Sequence, residues 1–171
     1  MGKSRLGFTL IELLVVISIM GVFVGGGIAS YRRFNQQQVL LEAGKRMMTT
    51  LRQAQSNASS GVKPQSPSST CTMLQGYSVS SLGGSPPTSF QIAQICLNGA
   101  TTVNYTTSTL ALPAGLAFQN AFSFSFLGQL RGVTTPTTIS IVQTPVTSSS
   151  LRYNISVDAS GAINDLGIIR P

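Results

Sequence analysis

Few residues in this chain are of types that do chemistry. Its acids are Glu12, Glu42, Asp158 and Asp165, its thiols are Cys71 and Cys96, and it contains no histidine. A serine or cysteine nucleophile activated by imidazole therefore has no base, and two cysteines without histidine cannot complete a structural zinc site. The four carboxylates are scattered along the sequence, which leaves little material for paired-carboxylate or Mg²⁺ chemistry. The composition argues against an enzyme and calls for no cofactor and no metal. One acid stands apart. Glu12 sits inside an apolar run, and a carboxylate in hydrocarbon is expensive enough that such residues generally have a specific partner.

The surroundings of Glu12 define the N-terminal element. Charged residues are only 9% of the 171, with 11 Lys+Arg against 4 Asp+Glu, where a soluble domain averages about 25%. Most of the net charge of +7 lies before position 64. A basic total of this kind can mark nucleic acid or anionic membrane as a partner. It equally fits a basic leader followed by a helix with solvated Lys and Arg. Residues 1–7 carry Lys3 and Arg5, and residues 8–29 are apolar apart from Glu12 and a few small polar residues. That run is about 22 residues long, enough to cross a bilayer as a helix. The basic leader favours a cytoplasmic N-terminus, with the chain beyond residue 30 on the outer side.

Two readings of this segment compete. A secretory signal would be removed after the apolar run, and Gly27, Ile28 and Ala29 form a passable cleavage site. Glu12 has no purpose in a disposable signal, and the run exceeds the roughly 7–15 residues of a signal's apolar core. The contiguous residues Gly7, Phe8, Thr9, Leu10, Ile11, Glu12, Leu13, Leu14, Val15 and Val16 resemble the N-terminal signal of type IV prepilins and type II secretion pseudopilins. The resemblance implies cleavage between Gly7 and Phe8 by prepilin peptidase, then N-methylation of Phe8. It also implies that Glu12 pairs with the α-amino group of Phe8 on a neighbouring subunit, relieving two charges in hydrocarbon and fixing register. Pairing of Glu12 with its own N-terminus remains the alternative.

The fold expected is α+β and pilin-like: a long N-terminal helix, half transmembrane and half amphipathic, packed on a C-terminal antiparallel β-sheet module. Its parts are a cleaved leader at 1–7, a transmembrane and filament-core helix at 8–30 and an amphipathic half at 31–61. A linker at 62–70 leads into a β-rich module at 71–171. Leu40, Ala43, Met47, Leu51, Ala54 and Ala58, with Phe34, Leu41 and Met48, recur at helical spacing and form an apolar stripe that needs a partner. Gly25, Gly26 and Gly27 mark a soft point, each costing about 1 kcal/mol of helix propensity. The alternative is that they allow close helix packing in the membrane. Arg32 and Arg33 are placed to reach lipid headgroups.

Beyond residue 70 the pattern is β. Short strands are expected at 77–82, 90–97, 101–105, 116–118, 122–126, 137–142 and 151–157, with a terminal hairpin turning at 158–161. Phe122, Phe124 and Phe126 alternate most plainly, and Ser and Thr on the opposite positions suit a sheet with one solvated face. Cys71 and Cys96 would lie on the oxidising side. A disulfide between them closes a loop of about 26 residues, worth roughly 3–4 kcal/mol; two free buried thiols are the alternative. Asn57, Asn104 and Asn154 begin formal acceptor sequons, which arise readily by chance in a Ser/Thr-rich chain.

A looser similarity links the segment from Leu51 to Ala58 before Gly61, and the order Phe124, Gly128, Gly161, to H-type minor pseudopilins and their FimT relatives. Some of those relatives are DNA receptors for natural transformation. Here Ala162 and Ile163 stand where they often carry Arg, and positive charge is sparse after Lys63. The function expected is a structural subunit, pilin or minor pilin, of a type IV pilus or type II secretion-like filament. Its alternative is a DNA-binding competence pseudopilin. The partners implied are like subunits in a helical filament, prepilin peptidase, an inner-membrane assembly platform and lipid before assembly, with DNA possible but not favoured. The location implied is the inner membrane, single-pass, before assembly and an extracytoplasmic filament after it.

Overall fold

The computed structural model describes residues 9–63, 71–128, 133–147 and 150–170, and for 24–30 the helical backbone alone. The leader at 1–7, Phe8 and most of the linker therefore lie outside the described residues. One helix, α1 (Leu10–Ser59), precedes eight strands: β1 (Met73–Leu82), β2 (Ser89–Asn98), β3 (Thr101–Ala111), β4 (Leu116–Phe118), β5 (Ser123–Leu127), β6 (Thr137–Gln143), β7 (Arg152–Val157) and β8 (Ile163–Ile169). The chain divides between Gln38 and Val39 into two units.

In the first unit α1 begins with a cap. Thr9 stands just before the helix, its hydroxyl accepting from the Glu12 N–H at 3.3 Å while its carbonyl accepts from the Leu13 N–H at 3.2 Å. This is the N-cap arrangement, with an acid at the third helical position where the helix dipole favours negative charge. Ser18 donates its hydroxyl to the Leu14 carbonyl at 2.8 Å, so a polar side chain within the apolar run is satisfied by its own helix. The backbone of Gly25, Gly26 and Gly27 lies within α1. Phe34, placed on the apolar stripe from spacing, is instead 59% exposed. It belongs to the first unit, and the buried stripe begins only at Leu40 in the second.

The second unit holds the core. Leu40, Ala43, Met47, Leu51, Ala54 and Ala58 are all buried, as the 3.6-residue spacing requires of a helix packed on one face. The helix ends where Gly61 takes φ of 67°. The Val62 N–H reaches the Asn57 carbonyl at 3.1 Å and the Gly61 N–H that of Ala58 at 3.3 Å, a Schellman closure that a side chain at position 61 would oppose. The β module consists of two antiparallel four-stranded sheets, ordered β3-β2-β1-β5 and β4-β6-β7-β8. The hairpin read from 158–161 is present, pairing β7 with β8.

Alternation sets the inner faces. Phe124 and Phe126 on β5 are buried, as are Tyr153, Ile155 and Val157 on β7. A relay of rings joins the sheets: Phe90 on β2 meets Phe118 on β4 at 6.0 Å, Phe118 meets Phe122 at 5.0 Å, and Phe124 meets Phe126 at 5.4 Å. These are edge-on contacts of the kind aromatic quadrupoles favour. Two glycines permit close approach. A Cβ on Gly44 would run into the ring of Tyr153, and one on Gly76 into the Phe126 carbonyl oxygen. The strand read as 101–105 extends to Ala111. Its second half, Thr106–Thr109, is exposed throughout and is held by backbone pairing to β2, so apolar alternation did not announce it.

Candidate functional site

The chemistry-bearing residues singled out in the sequence fall in three places. Glu12 is in the first turn of α1, held at the capped end by Thr9. Gly7 and Phe8 lie outside the described residues, and Gly25 to Gly27 are described only as helical backbone. Cys71 and Cys96 are joined by a disulfide with their Cα atoms 5.3 Å apart, fastening the segment before β1 to β2. Glu12 and the disulfide belong to different units and serve different ends. The capping role of Thr9 went unread in the sequence, although a Thr three residues before a Glu at the head of an apolar run is its signature.

Beyond Glu12 the helix carries an unusual surface. From Leu10 to Phe23 every Leu, Ile, Val, Met and Phe is exposed, from 43% at Val16 to 81% at Leu10. Exposed apolar surface of this extent marks contact with lipid or protein. Among the described residues no helix is long and apolar enough to cross a membrane. Side chains there are described only as far as Phe23, so the run is cut short of the span expected over 8–30.

Among the described residues no three of His, Cys, Asp and Glu lie together as a metal set. The ammonium of Lys63 donates to the Thr72 carbonyl at 2.9 Å, and an Arg152 guanidinium nitrogen lies 3.5 Å from the Gln119 side-chain oxygen. Asp158 accepts from the Ser160 hydroxyl at 2.6 Å and the Ala162 N–H at 2.9 Å, which hold its carboxyl below the usual aspartate range. Burial, helped by the neighbouring carboxylate of Asp165, pushes the Tyr153 phenol well above its ordinary value against the opposing effect of Arg52. Both groups serve the fold: the first closes the β7–β8 turn, and the second fills the core beneath Gly44.

Asn57 lies in the last turn of α1 and Asn154 within β7, both partly buried, whereas Asn104 is exposed on β3. No curated protein and no solved structure matches the chain. Residues 2–28 match the family described as the prokaryotic N-terminal methylation motif. That motif implies processing by prepilin peptidase, a membrane-anchored precursor and assembly into a pilus filament, and its proteins are structural rather than enzymatic. The chain thus carries the N-terminal signal of type IV pilins and pseudopilins, at the head of a helix that continues into an α+β module.

Proposed function

We propose that the chain is a structural subunit, a pilin or minor pilin of a type IV pilus or a pseudopilin of a type II secretion-like filament. Prepilin peptidase cuts it between Gly7 and Phe8, and Phe8 becomes the methylated terminus. Residues 8–30 anchor the precursor in the inner membrane and afterwards pack the filament core. The observation that carries this reading is the continuous exposed apolar surface from Leu10 to Phe23, directly behind the matched signal. That surface needs lipid before assembly and like helices after it. In this reading the Glu12 carboxylate, in the first turn, meets the α-amino group of a neighbouring Phe8. In hydrocarbon an unpaired charge of either sign is costly, so the pair rewards docking in one register. The soft point at Gly25 to Gly27 lets the helix yield locally as subunits pack.

Intact mass and N-terminal sequencing of the protein from its native membrane test the processing. The expected product begins at N-methylated Phe8 and retains the apolar helix. A terminus near Ser30 would mean a conventional secreted protein, and an intact Met1 a plain anchor; either outcome overturns the reading. For assembly, Glu12→Gln keeps shape and removes charge. It is expected to leave cleavage intact and to reduce the subunit recovered in sheared filaments at least tenfold, about 1.4 kcal/mol of docking. Unchanged recovery would remove Glu12 from assembly.

A further inference from the structure

Of the four sheet edges, three are blunted. β4 is only three residues long. β5 is covered by Val133, which bridges Phe126, and by Thr134, whose N–H donates to the Ser125 carbonyl at 3.0 Å. β8 carries Asp165 and the positive-φ Gly167 and follows an irregular register with β7. β3 shares only the register irregularity, and that falls in its second half. It is 11 residues long, at the end of its sheet, and holds no charge, no proline and no glycine. Thr101 to Thr106 pairs regularly with Asn98 to Ala93, and the register shifts only beyond Thr106. No segment among the described residues pairs with its outer side. An open edge of this kind presents unpaired N–H and carbonyl groups to any extended chain.

Beneath the same edge lies a cavity of about 790 Å³, between the last turns of α1 and the inner face of β2 and β3. Gln53 and Asn57 from the helix and Tyr105 and Leu110 from β3 contribute to its walls, together with Gln94 from β2. Gln94 is buried, and its orientation is fixed: the Tyr77 hydroxyl donates to the Val62 carbonyl at 2.9 Å, so it accepts from the Gln94 amide nitrogen at 2.7 Å. The Gln94 side-chain oxygen is closed off from solvent and without a partner among the described residues. Among the described residues, the one charged side chain at the walls is Lys63, engaged with Thr72.

We propose that β3 is a docking edge for an added strand: an extended, uncharged segment of another protein that pairs along Thr101–Thr106 and sends alternate side chains into the cavity. Main-chain bonds to the edge supply affinity, and the partly apolar cavity, with Lys63 its one charge among the described residues, favours neutral side chains. The edge carries no charge and the one charge at the described walls, Lys63, is turned to the Thr72 carbonyl, so a charged segment finds little to offset its desolvation. A second copy fits less well. Isologous pairing of β3 with itself sets the two copies' helices antiparallel, whereas subunits leaving one membrane run parallel. That last exclusion alone rests on the filament reading.

The test is amide exchange on the full chain in detergent micelles, with and without a neutral heptapeptide of alternating threonine and valine at about 1 mM. Alternate amides within Thr101–Thr106 are expected to slow at least about tenfold, while those of Tyr153 and Ile155 stay unchanged. Asn104→Pro and Thr106→Lys are each expected to abolish the slowing; the second, at an exposed position, keeps the test valid if the first disturbs folding. No slowing at β3, slowing at β8 instead, or slowing without peptide that grows with protein concentration would each overturn the proposal. The last result would identify a second copy as the occupant. Processing at Phe8 is scored separately, so failure here leaves the filament reading standing and the reverse holds too.

Discussion

Gly44 shows how much one hydrogen atom in place of a methyl can decide. On propensity alone Gly44→Ala should stabilise α1 by about 1 kcal/mol. The added Cβ, however, would run into the Tyr153 ring, which is fully buried and has no room to retreat. Overpacking costs about 1–3 kcal/mol, so the variant should be less stable in a urea titration by up to about 2 kcal/mol. A gain in stability would mean that the ring has another rotamer available. In sequence Gly44 reads only as a lone glycine in a helix, because its contact lies far along the chain on β7. Asp158 behaves oppositely, since its partners are two and four residues away. Its folded carboxyl is held low by Ser160 and Ala162. The stability it contributes is therefore present above the unfolded aspartate value of about 3.9 and is lost as pH falls through the lower folded value. A carboxyl-carbon titration by NMR should place its midpoint below the ordinary aspartate value of about 3.9; an ordinary midpoint would remove the turn's hydrogen bonds from solution.

At the level of elements, legibility follows burial. The helix stripe from Leu40 to Ala58 and the alternation at Phe124 and Phe126 are readable because one face of each is buried. The far half of β3 is not, since exposed Thr and Ser leave no pattern and only pairing with β2 holds it. The division into two sheets is likewise invisible, because strand spacing does not say which strands share a ladder. Phe34 continues the helical spacing yet lies outside the packed unit, which periodicity cannot reveal. The Cys71–Cys96 bond is legible from compartment rather than pattern, and it gives a direct test. Replacing both cysteines by serine should cost about 3 kcal/mol, the loop entropy returned to the unfolded chain. Thermal unfolding with and without reductant measures the same quantity, and an unchanged midpoint would mean that the bond constrains nothing.

For the whole molecule, the buried core draws, among the described residues, on none before Leu40. A chain beginning at Val39 should therefore keep a cooperative unfolding transition and sediment as a monomer. The full chain, with Leu10 to Phe23 exposed, should need detergent to do so. Loss of cooperative folding on truncation would show that the first unit contributes to the core. The signal at residues 2–28 is the most legible part of the sequence, because peptidase recognition acts on a contiguous stretch and needs no tertiary context.

The way α1 joins the β module bears on mechanical load. A pull arriving along the helix leaves it at Gly61, where the Val62 carbonyl is held by Tyr77 and the Lys63 ammonium grips the Thr72 carbonyl. The force then enters the sheet at β1, an interior strand flanked by β2 and β5. The covalent tie from Cys71 to Cys96 shares it at once with β2. Loaded this way, β1 shares the pull with β2 and is held by backbone pairing along both of its edges. An edge strand pulled from its end would give up the same bonds one after another, at far lower tension.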